Sequence, residues 1–298
     1  MAKLQVRDLE APLGALVEGL DTTSELDEET CRRLRRAFDE RGLLLFPGVE
    51  VDHPFQVWLS EMLIGKDSRS AKGAESAPAL DNFYISNRKE GAAAPFGRLP
   101  FHSDAMWSDD PPRVLSLYAV EVEPPVVPTI FASSVRAWET LPDDLRARVE
   151  KLSALHIAGT IKRGDEPGEI LEATFERPPS RVAPVGYRHP RTGRTLLYVC
   201  QQMTREIVGM APQESEDLLE ALFAALYDPA NRWEHEWRTR DLVVWDNLAV
   251  QHGRVNVLAK GPARTLRKFF SPIPSLGSGQ MPKYSSAQRQ AEHGARTR

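Results

Sequence analysis

The chain has 298 residues, with 38 basic against 42 acidic side chains and a formal net charge of −4. This balance gives no basic field for a nucleic acid, and no basic run is rich enough for a membrane surface. No apolar run approaches the roughly 18 residues of a membrane span, and the first residues lack an apolar signal core. We therefore expect a cytoplasmic protein with no nucleic-acid or membrane partner.

The first part of the chain predicts two helices around one short strand. Residues 27–41 form a charged amphipathic pattern that ends at Gly42, and residues 53–63 indicate a second helix. Leu43–Phe46 between them is an apolar strand. Residues 65–82 are polar and small in large part, and we expect them to form a mobile lid.

From residue 83 onward the pattern is rich in strands. We predict strands at 83–86, 114–122, 233–237, 241–245 and 264–270. We predict helices at 134–147, broken at Pro142, and at 212–227. Residues 160–184 are charged and contain several glycines and prolines, which favours a second lid over core.

These elements predict one domain over residues 1–276, followed by a tail, 277–298, whose polar composition favours disorder. Many short strands with few helices indicate a mixed α+β, mainly β protein. They favour a double-sheet jelly roll with helices packed outside and long lid insertions. Cys31 and Cys200 are the only cysteines, and we expect both to be reduced packing residues.

His102, Asp104 and His252 stand out as candidate metal ligands and catalytic residues. On a strand, side chains two apart point to one face, so His102 and Asp104 can grip one ion, with His252 from a distant strand. Such a set suits ferrous iron and leaves three octahedral positions open, although zinc, cobalt or nickel also accept it. About one His-x-Asp/Glu pair is expected by chance from 7 histidines and 42 acidic residues, so the pair alone is weak.

Two further residues, at specific distances from this triad, make the pattern stronger. Thr129 follows His102, and Arg264 follows His252 in Ala263–Lys268. At these positions, and over most of residues 17–270, the chain resembles the taurine/2,4-dichlorophenoxyacetate dioxygenase family of Fe(II)/2-oxoglutarate-dependent oxygenases. The resemblance implies a double-stranded β-helix, cupin-like, with Fe(II) as the metal and 2-oxoglutarate and O2 as co-substrates.

By the same resemblance, His102, Asp104 and His252 bind the iron, and Thr129 and Arg264 bind the distal carboxylate of 2-oxoglutarate. Lys268 lies where many family members carry a second arginine. We count it with the co-substrate-binding residues, and the sequence leaves open whether it binds the co-substrate or the substrate. Strand alternation puts Arg264 and Lys268 on one face and Arg267 on the other.

The implied reaction is hydroxylation of a C–H bond in a small anionic substrate, such as a sulfonate, an aryloxyalkanoate or a sulfate ester, with release of succinate and CO2. The alternative within the family is the same chemistry on a biosynthetic intermediate, either a secondary metabolite or an amino-acid derivative. A zinc-dependent hydrolase would need a general base that the sequence does not offer. An inactive binding jelly roll is disfavoured by the intact set of site residues. The resemblance leaves open a homo-oligomer, dimer or tetramer.

The remaining histidines have ordinary structural explanations. His156 lies in a strand pattern, and we expect it in the core. We expect solvated roles for His53, His189, His235 and His293. Trp245 and Asn247 are expected to position His252.

Overall fold

The structure of the chain is a computed structural model that describes residues 4–66, 83–161, 163, 170–272 and 283–285. The helices in these ranges are α1 Glu28–Arg41, α2 His53–Leu63, α3 Ser134–Thr140, α4 Asp143–Val149 and α5 Pro212–Leu226. The strands are β1 Gln5–Asp8, β2 Ala15–Glu18, β3 Leu43–Phe46, β4 Tyr84–Ser86, β5 Gly97–His102, β6 Val114–Val122, β7 Thr129–Ser133, β8 Ser153–Ile157, β9 Glu172–Thr174, β10 Ser180–Pro184, β11 Gly186–Arg188, β12 Thr195–Leu197, β13 Thr204–Ile207, β14 Arg232–His235, β15 Leu242–Asp246, β16 Val250–Val257, β17 Arg264–Ser271 and β18 Lys283–Ser285.

Two sheets dominate the described part of the chain. A seven-stranded sheet has the order β1-β2-β3-β15-β6-β17-β4, and a four-stranded sheet has the order β14-β7-β16-β5. A three-stranded sheet, β10-β8-β13, and the pairs β11-β12 and β18-β9 complete the set. The fold is therefore mainly β, as predicted. No helix within the described ranges combines the length and apolar character that a membrane span requires.

The two large sheets share one apolar core. Leu115, Leu117 and Trp245 of the seven-stranded sheet belong to the same buried cluster as Phe131 and Val250 of the four-stranded sheet. Since side chains alternate along a strand, their neighbours in sequence point away from this core. The inner face between the sheets is where the candidate ligands are found.

α1 forms where the local sequence predicts it. The Asp27 side chain accepts a hydrogen bond from the Thr30 N–H at 2.6 Å and caps the first turn. Gly42 ends the helix with φ of +73°, a conformation that glycine adopts without strain. A Cβ there would lie 2.9 Å from Val250 Cγ2, so a side chain at this position would also disturb β16.

Most of the predicted elements are confirmed within a residue or two, including α2, β3, β17 and the break between α3 and α4 at Pro142. The sequence pattern did not indicate β1 and β2, which are only four residues each and largely paired with one another. The predicted lid at 65–82 lies almost wholly outside the described residues. The second lid, 160–184, contains β9 and β10, and its mobility stays a prediction.

The predicted tail is described only in part. Lys283–Ser285 forms β18, which pairs with β9. The other residues of 277–298 lie outside the described part of the chain. Cys31 and Cys200 are both buried and form no disulfide within the described residues, in agreement with the expected packing role.

Candidate active site

His102 and His252 lie opposite each other on neighbouring strands. The end of β5 carries His102, β16 carries His252, and the two residues are direct partners in the antiparallel register. Their ring centroids are 4.2 Å apart. A Cβ on Gly253 would lie 3.0 Å from the Leu99 carbonyl oxygen, so glycine allows β16 to approach β5 this closely. The predicted meeting of two distant segments at this site is confirmed.

Asp104 reaches the two histidines from a turn, and the expectation that it extends the strand of His102 is wrong. β5 ends at His102. The Asp104 N–H donates to Asn247 Oδ1 at 2.8 Å, and its carbonyl accepts from Asn247 Nδ2 at 2.9 Å. Asn247 therefore positions Asp104. Trp245 packs edge-on against the His252 ring, as expected, with the ring centroids 4.9 Å apart.

The ligand-type atoms of the three residues converge. Each offers one atom, and these atoms lie within 4.8 Å of one another. Asp104 Oδ1 is 3.3 Å from His102 Nε2 and 3.8 Å from His252 Nε2. His102 Nδ1 lies 2.8 Å from the Pro100 carbonyl, which can only accept, so the ring proton is on Nδ1 and the lone pair is on Nε2. This donor set fits a divalent transition metal such as Fe(II).

Electrostatics keep His252 and Asp104 in the protonation states that a metal needs. Burial, with a further contribution from His102, holds the pKa of His252 well below its usual value, so the imidazole is neutral at neutral pH. Burial raises the pKa of Asp104, but Lys268 and the two histidines outweigh that effect and hold it well below its usual range. Asp104 is therefore an anion throughout the physiological range.

Lys268 is the positive partner of Asp104. Its Nζ donates to Asp104 Oδ2 in a close ion pair, and the side chain is 13% exposed. The Phe83 and Phe270 rings lie 5.7 Å from the ammonium. The predicted inner-face position of Lys268 is confirmed, and the contact with a candidate ligand is a feature that the sequence did not indicate.

Thr129 and Arg264 lie side by side on facing strands. Arg264 is 5% exposed, and its Nη2 donates to Thr129 Oγ1 at 3.0 Å. Its Nε donates to the Val127 carbonyl at 3.2 Å, and Trp237 Nε1 also donates to Thr129 Oγ1, at 2.9 Å. Burial lowers the pKa of Arg264 to about 10, so it remains a cation at neutral pH.

The opposite face of β17 behaves as alternation predicts. Arg267 turns away from the site, donating from Nε to Gln56 Oε1 at 2.7 Å and from Nη2 to the Val51 carbonyl at 2.8 Å. One buried residue near the site was missed at the sequence level. Arg254 is 5% exposed and follows His252 by two residues on the same strand, and that spacing was the available signal.

Among the other histidines, one prediction is confirmed and two are wrong, while His53 is half-buried and His293 lies outside the described residues. His156 is fully buried on β8 with Nδ1 3.1 Å from Thr204 Oγ1, as expected for a core residue. His189 and His235 are not solvated. His189 Nε2 lies 3.0 Å from Asp246 Oδ2, and His235 Nε2 lies 3.2 Å from Asp241 Oδ2. Both are buried, and each ring has a carboxylate beside it in the interior.

The sequence model of one protein family, the taurine catabolism dioxygenase TauD, TfdA family, matches residues 5–269. The chain belongs to this family. An alkylsulfatase from Acinetobacter baylyi, a similar protein, is 27% identical over 261 residues, which cover 85% of this chain and 80% of the relative. The alpha-ketoglutarate-dependent 2,4-dichlorophenoxyacetate dioxygenase of Cupriavidus pinatubonensis is 26% identical over 251 residues, covering 79% of this chain and 86% of the relative.

Solved structures support the fold. A taurine dioxygenase from Burkholderia xenovorans has a TM-score of 0.65 and 24% sequence identity to this chain, with 95% of this chain and 94% of that chain covered. As a TauD/TfdA family member, the protein is a non-haem Fe(II)- and 2-oxoglutarate-dependent dioxygenase with O2 as the other co-substrate. The predicted family, enzyme class and cofactors are confirmed.

Proposed function

We propose that His102, Asp104 and His252 hold the iron and that Thr129 and Arg264 hold the distal carboxylate of 2-oxoglutarate. The observation that carries this assignment is the convergence of the three ligand-type atoms within 4.8 Å. It is supported by the hydrogen bond that fixes the His102 tautomer and by the bonds from Asn247 that fix Asp104. A guanidinium beside a hydroxyl suits a carboxylate, because both groups can donate to its oxygens.

The reaction that follows is hydroxylation of a C–H bond in a small substrate. Bound Fe(II), together with 2-oxoglutarate and O2, supplies the oxidising power, with one oxygen atom entering the substrate and the other entering succinate as CO2 is released. Arg264 and Thr129 orient the co-substrate, and the apolar walls around Trp245 and Phe131 keep water from the reacting centre. Such exclusion protects the oxidant from side reactions.

We infer that the substrate is anionic and that Lys268 faces its charge. The ammonium is partly buried beside two phenylalanine rings, so a small anion with an apolar body can meet both surfaces. A divalent metal held through Asp104 Oδ1 would neutralise much of the carboxylate charge, so the charge of Lys268 on Oδ2 becomes available to another anion. Sulfate esters, sulfonates and aryloxyalkanoates fit this chemistry, and the alkylsulfatase relative supports the first of these.

The fold proposal follows the same family. We propose that the two large sheets form a double-stranded β-helix, and that residues 65–82 and 160–184 close over the substrate. The second segment begins after β8, and its described strand β10 pairs with that strand. Closure would complete the exclusion of water from the site.

A matched substrate screen tests the proposal. Succinate formation is measured with Fe(II), 2-oxoglutarate and O2 for alkyl sulfates, sulfonates and aryloxyalkanoates, each beside its uncharged alcohol or ester analogue. We expect substrate-dependent succinate at least about tenfold higher for the anionic member of a pair, since one charge-assisted contact contributes roughly 1.5 kcal/mol or more. Equal rates within every pair, or a preference for the uncharged members, would contradict an anionic substrate.

A further inference from the structure

Arg254 lies beside the residues assigned to the co-substrate. It follows His252 by two residues on β16, so both side chains point to the inner face. Gly253 pairs with Ile130 of β7, and the same register continued by one residue sets Arg254 opposite Thr129. Opposite residues on antiparallel strands share a face. Arg254 therefore flanks the hydroxyl group that Arg264 contacts.

Arg254 and Arg264 form a pair of buried cations from facing sheets. In the described part of the chain, their side-chain hydrogen bonds go to neutral oxygens only, and neither forms an ion pair with a carboxylate. Both side chains are buried, each with 5% of its surface exposed. Two buried positive charges without an acid oppose folding, and a bound carboxylate compensates both.

Arg254 also links this pair to the strand that carries His102. Its Nε donates to the Gly97 carbonyl at 3.2 Å and its Nη2 to the Phe96 carbonyl at 2.7 Å. Gly97 is the first residue of β5, which ends at His102, and Phe96 directly precedes that strand. The guanidinium is thereby held in one place, so its charge is fixed relative to Thr129 and Arg264 before any ligand arrives.

We propose that Arg254 is a second cation of the 2-oxoglutarate pocket, a positioning residue that favours 2-oxo acids ending in a carboxylate over those ending in a methyl group. The inference rests on the proposed roles of Thr129 and Arg264 and adds to them. Arg254 keeps its two carbonyl contacts and acts on the distal carboxylate through its charge. This role explains why a buried cation lies next to Thr129 without a carboxylate partner among the described residues.

The test compares two ligands that differ only at the distal end. Dissociation constants for 2-oxoglutarate and 2-oxopentanoate are measured on the Fe(II)-loaded full chain without oxygen, by calorimetry and the absorbance of the chelated 2-oxo acid. Arg254→Gln should weaken 2-oxoglutarate by about tenfold and 2-oxopentanoate by less than about twofold. Arg254→Lys should recover most of the difference, and Arg267→Gln, on the outer face, should leave both constants unchanged.

The outcomes separate this inference from the proposed function. Equal weakening of both ligands by Arg254→Gln, or a folded Arg254→Lys that behaves like Arg254→Gln, would reduce Arg254 to a clamp on β5 and overturn the inference. No change for either ligand would overturn it as well. If Arg264→Ala leaves 2-oxoglutarate binding intact, the proposed co-substrate site itself fails. Thermal unfolding of each variant identifies any loss of the fold, and Arg254→Lys keeps the test informative if the glutamine variant unfolds.

Discussion

The two halves of the site differ in how their charges are balanced. At the metal half, Asp104 is paired with Lys268, and both neighbouring histidines belong to the same cluster. At the co-substrate half, Arg254 and Arg264 are buried and bond only to neutral oxygens among the described residues. The metal half compensates its own charge before a ligand binds. The co-substrate half needs a bound anion to compensate its charge.

This difference indicates which ligand meets a competing charge. A metal ion at the first half shares the carboxylate of Asp104 with the ammonium of Lys268, because Oδ1 lies beside the two histidines and Oδ2 is bonded to Lys268. A carboxylate at the second half displaces no charged group among the described residues and reduces the repulsion between two arginines. Substitutions in the two halves should therefore affect metal and co-substrate affinity separately.

The largest effect is expected from removing a candidate ligand. His102→Ala, Asp104→Ala and His252→Ala should each lower turnover by about a thousandfold or more, because two remaining ligands neither hold the metal nor fix its geometry. Succinate release and Fe(II) binding under anaerobic conditions measure the result. His156→Phe, another buried histidine, is the matched control and should keep its turnover at pH 7.5. A ligand variant with ordinary activity would refute the triad.

The next largest effect is expected at the co-substrate half of the site. Arg264→Ala should raise the KM for 2-oxoglutarate by about a hundredfold, since it removes a charge-assisted grip of roughly 3 kcal/mol. Arg267→Ala, from the opposite face of β17, should change it by less than about threefold. Metal affinity should stay near the wild-type value in both variants, and this is checked by anaerobic titration. The reverse order of the two arginines would show that the assignment of the faces is wrong.

Lys268 provides the sharpest contrast between the halves. Lys268→Met keeps most of the length of the side chain but removes the charge beside Asp104, so the affinity for Fe(II) should rise by about tenfold. The KM for an anionic substrate should rise as well. Lys268→Arg retains the charge and should leave metal affinity close to the wild type. Weaker metal binding by the methionine variant would mean that Lys268 supports the metal half instead of competing for it.

The smallest effect concerns a buried histidine outside both halves. Burial lowers the pKa of His156 to about 3, against 6.5 for an unfolded histidine. Between these two values the unfolded chain takes up a proton that the folded chain refuses, so stability is lost as pH falls below 6.5. Urea unfolding from pH 7 to 5 should show His156→Phe losing less stability than the wild type, by up to about 1.4 kcal/mol per pH unit. Parallel pH curves for the two proteins would contradict this.

Local sequence patterns were enough to predict most helices and strands and to assign the side chains of β17 to its two faces. Asp27, Gly42 and the apolar spacing between them determine α1 within one helix, and alternation alone separates Arg264 from Arg267. The residue types of the three candidate metal ligands, together with the family resemblance, were also sufficient to predict the class of reaction. These features depend on residues a few positions apart, whose relative directions are fixed by the geometry of the helix or the strand.

The partners of the polar groups were decided by the tertiary structure. Asp104 lies in a turn because Asn247 bonds both its N–H and its carbonyl, and His189 is buried because Asp246 lies beside it. Arg254 on β16 and Arg264 on β17 belong to different sheets, so they come near each other only when the two sheets pack together. Compensation of a buried charge requires a group within a few ångströms in space, whatever its distance along the chain. The sequence therefore determined which groups are available for catalysis, and only the fold decided which of them are balanced by one another and which require a ligand.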